Sequence, residues 1–302
     1  MSMKVGILGS GPWGRALGQL VQAAGNEPLL TYRRNKPRRL PATDDPTAIG
    51  RFAEVVLVAV PPTQIADAVT SAKLGTQHRV IIAARGLEPE SRNFWLSDII
   101  PRETPALRVG MLGGPAVAAD LLAGRRGAGV VASPYAEVQR LGVEALMSSR
   151  YRVYPSHDMR GVELAGAMVQ VIAVAVGMTD GMGMGAGLRG VVFARGLAEA
   201  SRLASSLGAD PRTFSGLVGA GDLISSCSHT EHPAYRAGLS MAQGRSPASQ
   251  DPINTAGAAL ALAKLHGIEL PLTTAVWAVA RQQVPLPVVM QKLMERPVTQ
   301  EL

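Results

Sequence analysis

The sequence predicts an α/β fold, a Rossmann-like doubly wound and mostly parallel sheet followed by an all-helical C-terminal domain. Three observations carry this. Near-continuous apolar runs alternate with helical stretches up to about residue 155, the pattern of a parallel sheet covered on both faces. A glycine-rich turn sits between the first of those runs and the first helical stretch. After about residue 155 the strand signals stop and only helical patterns follow. Residues 1–155 are therefore expected to form a dinucleotide-binding domain, and residues 156–302 a helical substrate domain.

The expected elements follow in order. Lys4–Leu8 reads as a short buried strand, and a helix runs from Trp13 to about Ala24, stopped by Gly25-Asn26. Further strands are expected at Leu29–Tyr32, Val55–Val60, Arg79–Ala83, Leu107–Leu112 and Gly129–Ala132. Helices are expected at 160–180, 191–207, 211–218, 233–243, 255–266, 271–282 and 286–295. The glycine-rich stretch Gly177–Gly187 reads as a loop or a helix interruption, because repeated glycine destabilises a helix.

Composition narrows the class. With 47% hydrophobic but only 4% aromatic residues, the packing must rest on Ala, Val, Leu and Met. No apolar run reads as a membrane span. The opening residues lead straight into a strand, with no leader pattern. One cysteine, Cys227, excludes an intrachain disulfide and suits a reducing cytoplasm, the expected location. The net charge of +7 is compatible with a phosphorylated ligand or with nucleic acid. The one dense basic run spans Arg33 to Arg39. Arg38 and Arg39 read as a solvated loop, and no nucleic-acid partner is expected.

The sharpest motif is Gly9-Ser10-Gly11-Pro12-Trp13-Gly14, a G-x-G-x-x-G set directly after a strand and before a helix. Gly9 suits the tight turn, Gly11 lets the backbone approach a pyrophosphate, and Gly14 lets the helix pack on the strand. The helix N-terminus then faces the negative charge. Where a ribose-binding acid would favour NAD, the second strand ends in Arg33-Arg34. Arginine pairs bidentately with a 2′-phosphate, so NADP is the expected cofactor and NAD the alternative.

From end to end, the chain resembles bacterial NAD(P)-dependent glycerol-3-phosphate dehydrogenase. The resemblance rests on Gly9–Gly14, Val58–Pro61, Arg85–Glu88, Gly114-Pro115, Gly161–Leu164, Arg195–Glu199, Gly219–Ile224 before Cys227, and Leu262–Pro271. It implies hydride transfer between the nicotinamide and C2 of dihydroxyacetone phosphate or glycerol 3-phosphate, a step of glycerophospholipid metabolism, and a homodimer.

Residue by residue, the resemblance implies contacts to cofactor from Gly9, Ser10, Gly11, Pro12, Trp13, Gly14, Arg33, Arg34, Pro61, Arg85, Ala118 and Asp251. It implies contacts to substrate from Arg85, Gly114, Asp222 and His232, and roles in the reaction for Asp222 and Ser226. No metal is implied. The departures concentrate in one pocket. The family's Lys-Asn reads Val169-Gln170, a hydroxyl is lost at Ala116, and its Ser-Arg-Asn reads His232-Pro233-Ala234. Beyond residue 73 the only lysines are Lys264 and Lys292, neither at the matching position. His229 and His232 could titrate near neutral pH, although their loop position favours solvent exposure. The alternatives to a working dehydrogenase are an inactive NADP-binding homologue serving as sensor or scaffold, and a reductase of a different carbonyl.

Overall fold

A computed structural model describes residues 2–88 and 94–295. Met1, residues 89–93 and residues 296–302 lie outside the described residues, and with them both outer ends of the two expected domains. The chain runs β1 (Lys4–Leu8), α1 (Pro12–Ala23), β2 (Glu27–Thr31), β3 (Ala42–Thr43), α2 (Thr47–Phe52), β4 (Val55–Val58), α3 (Ile65–Ser71), β5 (Arg79–Ile82), α4 (Leu96–Glu103), β6 (Arg108–Gly113), α5 (Ala118–Leu122), β7 (Gly127–Ala132), α6 (Ala136–Leu146) and β8 (Tyr151–Ser156). It continues α7 (Met159–Gly181), α8 (Gly185–Ser206), α9 (Asp222–Ser228), α10 (Pro233–Ala242), α11 (Asp251–Leu265), α12 (Pro271–Ala280) and α13 (Leu286–Met294).

The eight strands form one sheet in the order β3-β2-β1-β4-β5-β6-β7-β8. The first six are parallel; β7 pairs antiparallel with β6, and β8 runs parallel to β7. The central strands are buried along their length, as their Val and Ile runs require. Because β7 and β8 are reversed, their N-terminal residues lie at the edge of the sheet where the parallel strands end. That reversal brings Tyr151 to the ligand-binding edge of the sheet.

The sequence reading set no range for any of α2 to α6 and missed β3, β8 and α9. β3 is two residues long. The alternation Tyr151-Arg152-Val153-Tyr154 does carry a strand period, with Tyr151 and Val153 buried and Arg152 and Tyr154 exposed. The helix expected at 211–218 is instead a 3₁₀ turn, Pro211–Ser215, followed by a π-helical turn, Leu217–Gly221.

The interruption expected across Gly177–Gly187 is present but shorter than that stretch. α7 continues to Gly181 and α8 begins at Gly185. The glycines serve close helix packing: a Cβ on Gly177 would stand 2.1 Å from the Tyr235 carbonyl, and one on Gly238 2.0 Å from that of Val174. α7 and α10 therefore touch backbone to backbone, which offsets the poor helix propensity of glycine.

α7 is apolar and long enough to cross a membrane by length and composition, contrary to the expectation that no run would be. Its apolar window is 94% buried inside the protein, so it is a core helix. Its N-terminus is tied down by polar groups. Asp158 caps it, accepting from the Gly161 amide, and also accepts from the Thr213 hydroxyl at 2.6 Å. One turn on, buried Glu163 accepts from the Ser97 amide and hydroxyl, joining α7 to α4. Burial pushes the Glu163 carboxyl up to about 7.

Candidate active site

The glycine loop has the shape a pyrophosphate needs. Gly9 has φ +110, and its amide donates to Thr31 Oγ1. A Cβ on Gly14 would meet the Gly9 carbonyl oxygen at 2.1 Å, whereas one on Gly11 would meet nothing within 4 Å. Gly14 thus closes the strand–helix contact, and Gly11 leaves open space in front of α1. No side chain caps α1, and its dipole points into that space. The Trp13 indole N–H donates to the Ala83 carbonyl at 2.7 Å, anchoring the first turn to the end of β5.

A cavity of about 1360 Å³ opens from this loop, lined by Gly9, Ser10, Gly11, Arg33, Arg34 and Pro61, among others. Arg33 is exposed and donates to Gln64 Oε1 at 3.1 Å. Arg38 and Arg39 are solvated, as expected, but they also line this cavity, as do Arg15 and Lys36. The cationic wall is therefore wider than the sequence suggested. These residues fit a dinucleotide with an added phosphate.

A second cavity, of about 570 Å³, adjoins it and shares Gly11, Pro61, Ala59 and Val60. It gathers residues from both halves of the chain. Pro12, Trp13, Arg85, Gly114, Ala116, Ala118, Tyr151, Gln170, His229, His232 and Asp251 all line it. Arg85 lies beyond the end of β5, next to Gly86, whose φ is +137. One guanidinium nitrogen, Nη2, donates to Asp222 Oδ1 at 2.8 Å and to the Gly114 carbonyl at 2.9 Å.

Asp222 is the first residue of α9, and the π-helical turn before it sets its direction. It does not cap the helix; Gly221 occupies that position. The carboxylate is only 1% exposed. Burial pushes it up to about 6, outweighing the opposing Arg85 charge. Ser226 donates weakly to Oδ1, at 3.4 Å, and Oδ2 has no protein partner among the described residues.

His232 departs from the expected exposed loop histidine. Its Nδ1 is buried without a partner, and burial, helped by the Arg85 and His229 charges, pushes it down to about 3. It is neutral at physiological pH and brings no charge to a ligand. Pro233 and Ala234 begin α10 and offer no side-chain donor. Asp251 opens α11, and burial raises its carboxyl above the ordinary range.

Val169 is 1% exposed and belongs to the apolar core, while its neighbour Gln170 reaches the cavity. Gly166, one helical turn earlier, lies under Arg85, with space for a Cβ 3.6 Å from Arg85 Cγ. Lys264 and Lys292 both line a different groove, between α11, α12 and α13. The sequence reading placed Gln170 in this pocket through the resemblance but missed Tyr151. Tyr151 could have been found from the strand period and from Gly127 and Gly129 opposite it.

The chain matches two adjoining family descriptions: NAD-dependent glycerol-3-phosphate dehydrogenase N-terminus over residues 33–139, and its C-terminus over residues 158–291. The chain belongs to the NAD-dependent glycerol-3-phosphate dehydrogenase family. The glycerol-3-phosphate dehydrogenase [NAD(P)+] of Halorhodospira halophila is 33% identical, across 98% of this chain and 98% of that protein. The Synechococcus enzyme of the same name is 35% identical, across 98% and 95%. The crystal structure of glycerol-3-phosphate dehydrogenase from Coxiella burnetii superposes with a TM-score of 0.89 at 28% identity, covering 98% and 99% of the two chains. NAD(P) binding and the Rossmann-type sheet are family properties that this chain shares.

Proposed function

We propose that this chain is an NADPH-preferring oxidoreductase that moves a hydride between its cofactor and the carbonyl carbon of a small hydroxyketone in the cavity beside Arg85. The observation that carries this reading is a convergence of unpartnered polar atoms. Among the described residues, Asp222 Oδ2, His232 Nδ1 and the Tyr151 hydroxyl are all buried without partners, and Arg85 acts electrostatically on all three groups. Buried polar atoms left unmatched cost about 1–3 kcal/mol each. A scaffold that only bound cofactor would carry that cost with no ligand to relieve it, so the cavity favours a polar occupant.

Bound at the Gly9–Gly14 loop, the dinucleotide would supply the hydride. The remaining work falls to this chain's residues. Gly9, Ser10, Gly11 and the N-terminus of α1 hold the pyrophosphate. Arg33 and Arg34 face the adenosine ribose. Arg85, braced by Asp222 and the Gly114 carbonyl, offers a fixed cation to the substrate oxygen as negative charge develops. Val169 brings no proton, and among the described residues no second Lys or Arg lines this cavity to hold a phosphate. Dihydroxyacetone phosphate is accordingly a slow substrate. The charge balance favours a hydroxyketone without phosphate, because Asp222 neutralises Arg85 and His232 is neutral.

The test is NADPH oxidation by the purified protein with dihydroxyacetone phosphate, dihydroxyacetone and glyceraldehyde, beside a calorimetric titration of NADPH. Binding with slow but saturable turnover is the expected result. Binding with no turnover of any of the three would favour the sensor reading. Rapid reduction of dihydroxyacetone phosphate would refute the roles assigned to Val169 and His232.

A further inference from the structure

The family resemblance sets Val169 where a lysine is expected, yet reduction of a carbonyl still needs a proton. We propose that the Tyr151 hydroxyl is the proton donor of this cavity, an assignment that rests on the oxidoreductase reading above. Tyr151 begins β8 and lines the cavity with its side chain 1% exposed. Its ring lies over Gly127 and Gly129 of β7: a Cβ on Gly127 would be 3.2 Å from the ring, and one on Gly129 2.3 Å from the hydroxyl. That second point is also 3.1 Å from the Gly113 carbonyl, so the hydroxyl sits beside the loop that holds Arg85. The hydroxyl has no partner among the described residues. The glycines make room for a phenol whose polar end is left for a ligand.

Three buried titratable groups that feel the charge of Arg85 or Asp222 are worse donors. Asp222, at about 6, is mostly ionised at neutral pH and accepts rather than donates. His232, at about 3, is not protonated. Cys227 is buried, pushed up to about 12, and absent from the cavity wall. Burial raises the Tyr151 phenol above its ordinary value, with Arg85 opposing and Asp222 adding, so the hydroxyl keeps its proton until a stronger base appears. An alkoxide forming at the substrate is that base.

The atoms balance, with the dihydronicotinamide of the cofactor as the reductant. When the carbonyl carbon accepts the hydride, the C=O π pair moves onto oxygen. The Tyr151 O–H bond breaks, its proton joins that oxygen, and the bonding pair stays on the phenolate. Arg85 stabilises the phenolate until it recovers a proton from water entering the cavity. In the oxidation direction the same atoms run in reverse.

Tyr151→Phe keeps the ring and removes only the hydroxyl. Proton transfer from a positioned group contributes roughly 10²–10⁴ in rate, so kcat should fall about 100-fold. KM and the calorimetric Kd for NADPH should not change. The melting temperature should hold or rise, because an unpartnered buried hydroxyl is gone. Gly129→Ala is the second variant; it keeps the hydroxyl but pushes it aside, and should lower kcat in the same way. Wild-type kcat in Tyr151→Phe would overturn the assignment and leave the oxidoreductase reading intact. A parallel fall in melting temperature and activity would make Tyr151 a structural residue and also overturn it. If the wild type binds NADPH but reduces none of the three carbonyl compounds, the oxidoreductase reading falls and takes this proposal with it.

Discussion

Replacing Arg85 by Met should destabilise the protein by an amount that depends strongly on pH. Asp222 is 1% exposed and Arg85 23%, so the pair is largely shielded from water. At pH 8 the wild-type carboxylate is ionised and paired. In the variant its remaining side-chain donor among the described residues is Ser226, at 3.4 Å. Removing one partner of a buried pair costs about 3–5 kcal/mol. At pH 5 Asp222 is below its raised value of about 6 and is mostly protonated. The variant then loses chiefly the Arg85 bond to the Gly114 carbonyl, worth about 1 kcal/mol.

The two losses should therefore differ by about 2 kcal/mol and by no more than about 2.7 kcal/mol, which is about 1.36 kcal/mol for each pH unit between the wild-type value of about 6 and pH 8. The sign follows from linkage. A carboxyl raised in the folded state lowers stability as pH climbs from its unfolded value of 3.8 through about 6. Without Arg85 the folded value rises further, and the decline extends to higher pH. Urea unfolding of both proteins, without cofactor, at pH 5 and pH 8 measures this directly. Equal losses at the two pH values would show that Asp222 is solvated and that the pair does not organise the cavity.

Gly11→Asp should abolish NADPH binding in calorimetry, because its carboxylate would occupy the open space in front of α1 where the pyrophosphate belongs; unchanged affinity would refute that placement. Replacing both Arg33 and Arg34 by Ala should weaken NADPH about 100-fold, taking the low end of a charge-assisted bond, about 1.5 kcal/mol, for each exposed side chain. NADH affinity should barely move, and equal losses would make the arginines mere surface. Val169→Lys should cost several kcal/mol by placing an ammonium in the apolar core, and should restore little turnover of dihydroxyacetone phosphate. Installing Lys-Asn at 169–170 together with Ser-Arg-Asn at 232–234 should give more than the sum of the two changes. Glu163→Gln should flatten the pH profile of stability: the raised carboxyl makes the wild type lose stability as pH rises from 4.5 through about 7, a component the variant lacks. Parallel unfolding curves for wild type and Glu163→Gln across that window would contradict this.

The sequence by itself determined the cofactor half of this protein. Strand period, glycine spacing and the helix start are local properties, so Gly9–Gly14 and the strands β1, β2, β4, β5 and β6 could be read without any long-range contact. The family, too, was legible, because its motifs are short and ordered along the chain. Local patterns misled where packing decided the outcome. Gly177–Gly187 looked like a loop or an interruption, yet α7 runs on to Gly181 and uses Gly177, against Gly238 of α10, to bring two helix backbones together.

Only the tertiary structure decided the chemistry of the cavity. Asp222 and Arg85 are 137 residues apart, and nothing local predicts their contact or a carboxyl raised to about 6. His232 read as a solvated loop residue because exposure cannot be inferred from a segment without period. Tyr151 escaped notice for a related reason. Its importance comes from the reversal of β7 and β8, which carries the start of a late strand to the edge where the early strands end. Burial and pairing set the charge state of these groups, and both are properties of the assembled fold.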